Sequence, residues 1–156
     1  MAARSGRVLL AIDGEPHTGN AIRWVLHMAE PMAFQVVAVH VVDPYLKQFV
    51  NEIYAQGRQE YLDHVDACLA EKAEQALADF ESAARERGVS AAVETRRGDP
   101  LEELVAEAKQ GRYDLLVLGR KNTSGLARWR SGYLPAKIAD HLPELPLLIV
   151  PGQKTG

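Results

Sequence analysis

The sequence predicts an α/β fold: an open, doubly wound sheet of five parallel strands in the order 3-2-1-4-5, with helices on both faces. Three observations carry this. Five short runs of strand length recur along the chain, and segments with helical hydrophobic spacing separate them. Most of the runs are continuously apolar, as strands covered on both faces are, and do not alternate as half-exposed strands do. Right-handed crossovers on such a chain build outward from the first strand and then return to its other side, which leaves a crevice at the reversal.

The first strand is Arg7-Val-Leu-Leu-Ala-Ile-Asp13, opening onto a turn at Gly14 and Pro16. Thr18 is placed to cap a helix whose apolar positions are Ala21, Ile22, Trp24, Val25, Met28 and Ala29, with Pro31 expected to stop it. Gln35 to Val42 is β-branched and forms the second strand, closed by Pro44. From Tyr61 to Arg87, Leu62, Val65, Leu69, Ala73, Ala76, Phe80 and Ala84 step by three or four, Glu81 precedes Arg85 by four, and Gly88 follows as a stop. This predicts one long amphipathic helix.

Ser90 to Arg96 is the third strand. Gly98-Asp99-Pro100-Leu101-Glu102 then joins an Asp cap, a proline at the first helical position and a Glu three residues past the cap. Leu101, Leu104, Val105 and Ala108 make that helix's apolar face, with Gly111 as its end. Tyr113 to Gly119 is the fourth strand, Gly132 to Leu142 a fourth helix with Pro135 in its first turn, and Leu145 to Val150 the last strand. No repeat or linker divides the 156 residues, so a single domain with its core at about 7–151 is expected.

Charge and cysteine content narrow the function. The formal net charge is −3, which gives no general attraction to nucleic acid or anionic lipid. Leu115 to Ala139 contains no acid but holds Arg120, Lys121, Arg128, Arg130 and Lys137, so a local anion site is favoured over a nucleic-acid surface. The single cysteine, Cys68, reads as a small helical residue rather than a redox thiol. With no apolar leader behind Met1 and no apolar run near 18 residues, the expectation is a cytoplasmic protein.

Most catalytic signatures fail. Gly14-Glu-Pro-His-Thr-Gly19 has the glycine spacing of a phosphate-binding P-loop, but Asn20-Ala21 stands where Lys and Ser or Thr are needed. No Gly-x-Gly-x-x-Gly and no Gly-x-Ser-x-Gly occurs. His17, His27, His40, His64 and His141 lack metal-ligand spacing, so no metal site and no catalytic residue is assigned. One segment stands out, Gly119 to Gly132. It reads either as an anion cradle of backbone N–H groups facing a helix start, or as a solvated basic loop.

A first strand ending in Ala-Ile-Asp-Gly, a second ending in His-Val-Val, a Gly-Asp-Pro capped helix, Asp-Leu-Leu-Val-Leu-Gly and a terminal Pro-Leu-Leu-Ile-Val together resemble a universal stress protein of the UspA type, from Arg7 to Pro151. The resemblance implies a Rossmann-like homodimer, paired through its last strand, Leu147 to Val150. It also implies a loop Gly-x2-Gly-x9-Gly-(Ser/Thr) that holds ATP in nucleotide-binding members. Here Gly119 is the first glycine and Gly132 the third, but Asn122 replaces the second and Tyr133 replaces the Ser/Thr. Asp13 matches the position that flanks ribose or metal, and Val41 the one that flanks adenine.

The expectation is therefore a cytoplasmic regulatory protein with a degenerate adenine-nucleotide site, binding ATP weakly or not at all. The alternative is an ATP-binding switch with slow hydrolysis, in which Arg120, Arg128 and Arg130 replace the missing contacts and Asp13 helps to hold Mg²⁺. Between Asp43 and Arg58, the stripe Tyr45, Leu46, Phe49, Val50, Ile53 and Tyr54 reads as a lid, a partner surface or a packed helix.

Overall fold

The structure is a computed structural model that describes residues 6–13, 18–42, 59–120 and 134–152, with the backbone alone for 59–69. Its strands are β1 (Arg7–Ala11), β2 (Gln35–Val42), β3 (Ser90–Arg97), β4 (Leu115–Arg120) and β5 (Leu147–Pro151). Its helices are α1 (Thr18–Met32), α2 (Gln59–Glu86), α3 (Pro100–Gly111) and α4 (Leu134–His141). All five strands form one parallel sheet in the order β3-β2-β1-β4-β5.

The alternation of side chains along each strand divides the core in two. Val8, Leu10, Ile12, Val36, Ala38 and Val117 face α1 and α2, where Val25, Leu77 and Phe80 close over them. Leu9, Val39, Leu116 and Leu118 face α3 and α4, against Leu104, Val105 and Ile138. The predicted fold class therefore holds, with the first strand at the centre of the sheet.

Several local expectations change. Pro31 does not stop α1, which runs to Met32. In the last turn a proline forfeits only its bond to the carbonyl four residues back, that of exposed His27. The helix ends instead at Ala33, which takes the left-handed conformation with φ 53° while Phe34 N–H donates to the Ala29 carbonyl at 3.2 Å. Trp24, expected on the buried face, is 50% exposed. In α2 the buried face steps through Ala73, Leu77, Phe80 and Ala84, with Ala76 at its margin. Gly88 does terminate that helix, at φ 69°.

The helix α3 ends at Gly111 as expected, but not because of the glycine's backbone angle. Arg112 takes the left-handed position after it, at φ 53°. A Cβ at Gly111 would overlap the Tyr113 ring, so glycine is required there by close approach rather than by backbone angle. The Asp99 cap is as expected: its carboxylate accepts from Glu102 N–H at 3.0 Å, with Pro100 behind it. β4 and β5 each begin two residues later than the sequence suggested. α4 ends at His141, one residue early, while the expected start at Gly132 lies outside the described residues.

Candidate functional site

The strand order reverses between β1 and β4, and the crevice of a doubly wound sheet opens beyond the carboxyl ends of those strands. Asp13 stands two residues past β1, exposed, and its Oδ1 accepts a hydrogen bond from the Thr18 hydroxyl at the start of α1. The chain leaving β1 is held by β2 on both sides of its last peptide units. Ile12 N–H donates to the Val39 carbonyl at 2.8 Å, and His40 Nδ1 lies 2.8 Å from the Ile12 carbonyl. A carbonyl only accepts, so His40 carries its proton on Nδ1 in this contact.

Val41 is half-buried at the end of β2, and it packs on the face that holds α3 and α4. Its register partner on β3 is Arg96, which therefore emerges on the same face. Arg96 Nε donates to Glu103 at 2.7 Å and its NH1 to Glu107 at 2.7 Å, while the Tyr113 hydroxyl donates to the other Glu107 oxygen at 2.7 Å. The Glu103 hydrogen bond, opposed by desolvation, holds the Arg96 guanidinium above its ordinary pKa. Burial pushes the Tyr113 hydroxyl up, and its bond to Glu107 pushes it further. This network fixes α3 against the edge of the sheet next to Val41.

On the other side of the crevice, Gly119 and Arg120 end β4, both half-buried, in register with Val150 and Pro151. Gly152 N–H donates to the Arg120 carbonyl at 3.1 Å, and Asn20 Nδ2–H donates to the Pro151 carbonyl at 2.7 Å. The fold thus brings Asp13, Val41, Gly119 and Arg120 to the same end of the sheet. Asn122, Arg128, Arg130, Gly132 and Tyr133 lie outside the described residues, as does the Asp43–Arg58 segment. Among the described residues there is no group of three His, Cys, Asp or Glu side chains placed to hold a metal ion. No helix among them is long and apolar enough to cross a membrane.

The Universal stress protein family pattern matches residues 5–151. The chain belongs to the universal stress protein family. One relative is the universal stress protein MJ0531 of Methanocaldococcus jannaschii, 27% identical over 144 residues that cover 92% of this chain and 81% of that protein. Among solved structures, a universal stress protein family protein from Arabidopsis thaliana with AMP bound superposes with a TM-score of 0.65 at 20% identity, covering 96% of this chain and 93% of that one. A universal stress protein in complex with cAMP superposes at 0.62 and 18% identity, covering 95% and 98%.

Sequence reasoning overlooked three participants at this end of the sheet. Thr18 was read only as a cap, yet its hydroxyl is turned to Asp13. His40 was grouped with scattered histidines, although its place beside Val41 near the end of a strand was visible. Arg96 gave no local signal, because its acidic partners are seven and eleven residues away and meet it only when α3 folds back on the sheet.

Proposed function

We propose that this universal stress protein is a cytoplasmic, homodimeric regulator with a degenerate adenine-nucleotide site that binds ATP weakly or not at all. One observation carries the reading: Asp13 and Val41, the ribose and adenine positions, stand together at the carboxyl end of the sheet, whereas the phosphate loop has Asn122 for glycine and Tyr133 for Ser or Thr. Val41 offers an apolar wall to a base, and the Asp13 carboxylate, steadied by Thr18, accepts from a sugar hydroxyl. Asn tolerates the backbone angles of a glycine turn better than most residues, but its side chain narrows the approach of phosphate to the backbone. The AMP and cAMP of the related structures suit a site whose hold is on the nucleoside. Homodimerisation through Leu147 to Val150 is part of the same proposal, since β5 is an apolar strand at the open edge of the sheet.

Calorimetric titration of nucleotide-stripped protein with Mg-ATP, with Asp13→Ala as control, tests the reading. Weak or absent heat at millimolar ATP is expected. Saturable micromolar binding lost in Asp13→Ala overturns it in favour of an ATP switch held by Arg120, Arg128 and Arg130.

A further inference from the structure

One flank of α1 carries large apolar side chains that the described part of the fold leaves uncovered. Asn20, Trp24, Met28 and Met32 follow each other at intervals of four, so they form a single ridge along the helix. Trp24 is 50% and Met32 58% exposed, the two most exposed large hydrophobic residues among those described. The opposite flank is accounted for: Ile22 and Leu26 face Ala76, Phe80 and Ala83 of α2 across a cleft.

The position of the ridge follows from one hydrogen bond. α1 lies mainly over β4 and β5, and Asn20 Nδ2–H donates to the Pro151 carbonyl at 2.7 Å, which sets the ridge beside β5, the edge of the sheet. From Asn20 to Trp24 the helix descends about 6 Å, at 1.5 Å per residue. A strand covers that height in about two residues, at roughly 3.3 Å each. Trp24 is therefore level with Ile149, the middle residue of β5.

We propose that the part of this ridge at Trp24 is a second layer of self-association, meeting Trp24 of a second copy across a two-fold axis that passes beside Ile149. The inference rests on the proposed β5 dimer and adds a surface to it. Two β5 edges paired antiparallel in one continuous sheet keep both copies of α1 on the same face. With strands about 4.8 Å apart, the two helices then run roughly 10–14 Å from each other, at or just beyond the 8–10 Å of packed helices. Long, adaptable Trp and Met side chains fill such a gap, and small ones would leave it open. The area argues the same way. A five-residue edge is about 17 Å long, and a stable dimer needs on the order of 800 Å² from each partner. Backbone pairing on so short an edge requires side-chain contact above it.

The test is sedimentation velocity over a concentration series on the wild type, Trp24→Glu and Met32→Glu, with circular dichroism to show that each is folded. Because the contact is isologous, Trp24→Glu enters twice and brings two carboxylates together at the axis, whereas Met32, eight residues or about 12 Å further along α1, lies clear of the partner helix and serves as the control. The expected result is a dimeric wild type, a dimer Kd raised at least tenfold in Trp24→Glu, and a Kd close to wild type in Met32→Glu. In Trp129→Phe, where Trp24 is the remaining tryptophan, emission moves to longer wavelength as the dimer is diluted apart. A dimer whose Kd is unchanged by Trp24→Glu, or raised as much by Met32→Glu as by Trp24→Glu, or whose Trp24 emission is the same in monomer and dimer, overturns the Trp24 contact and leaves the β5 dimer standing. A wild type that stays monomeric at 100-micromolar order overturns both and leaves the ridge to a different protein.

Discussion

Glu107 is 9% exposed, and it is the buried acid among the described residues. A carboxylate at such depth is tolerable only with its oxygens engaged, and here Arg96 takes one and the Tyr113 hydroxyl the other. Tyr113 also has the Arg7 guanidinium 4.8 Å from its ring centre, so one side chain links α3, the start of β1 and the entry to β4. Replacing Tyr113 by Phe removes one donor from Glu107 and leaves Arg96 in place, for an expected loss of about 1–2 kcal/mol at neutral pH. The same change alters the alkaline limb of stability. The folded pKa of Tyr113 is raised above its ordinary value of 10.0, so the unfolded chain releases that proton first. The stabilisation is complete below pH 10 and is lost progressively above it. Urea melts of wild type and Tyr113→Phe between pH 8 and 11 are expected to show a stability gap that narrows above pH 10. A gap that widens there reverses the sign of the argument.

Helices and strands were legible to the extent that their cause is local. The start of α3 was read correctly because the Asp99 cap and Pro100 act within one turn of each other. β2 was legible from Gln35 to Val42 because eight consecutive residues carry the same signal. The errors fall where a distant residue decides the outcome. Trp24 occupies a position that helical spacing alone assigns to the core, and only the placement of α1 over β4 and β5 turns it outward. Gly111 does end α3, but the reason for glycine there is likewise distant in cause: its absent side chain makes room for the Tyr113 ring. This yields a prediction opposite to helix propensity. Alanine is favoured over glycine inside a helix by about 1 kcal/mol, yet Gly111→Ala is expected to destabilise by about 1–3 kcal/mol, because the added methyl forces the ring away from Glu107. Thermal unfolding of Gly111→Ala decides between them: a higher midpoint than wild type favours propensity, a lower one the close approach.

At the scale of the whole molecule, the 3-2-1-4-5 order determines which residues can act together. Asp13 and Gly119 are 106 positions apart in the sequence, and the reversal between β1 and β4 brings the ends of their strands side by side. The topology brings Asp13 and Val41 to one end of the sheet whatever the loop sequence is, so on the proposed reading the loss of ATP affinity has its origin in Asn122 and Tyr133. Restoring Asn122→Gly and Tyr133→Ser reopens backbone N–H groups to phosphate and returns a short hydroxyl at the helix start. Each recovered phosphate contact is worth roughly 1–1.5 kcal/mol, so the double variant is expected to bind Mg-ATP about ten- to a hundredfold more tightly than wild type. AMP, which on the proposed reading is held mainly at Val41 and Asp13, is expected to gain much less. The ratio of ATP to AMP affinity, taken from parallel titrations of the two proteins, is the measurement. If both affinities rise equally, the loop acts on the whole crevice and not on phosphate. If neither changes, Asn122 and Tyr133 are not the residues that weaken the site, and the match of this loop to the family's glycine pattern is wrong.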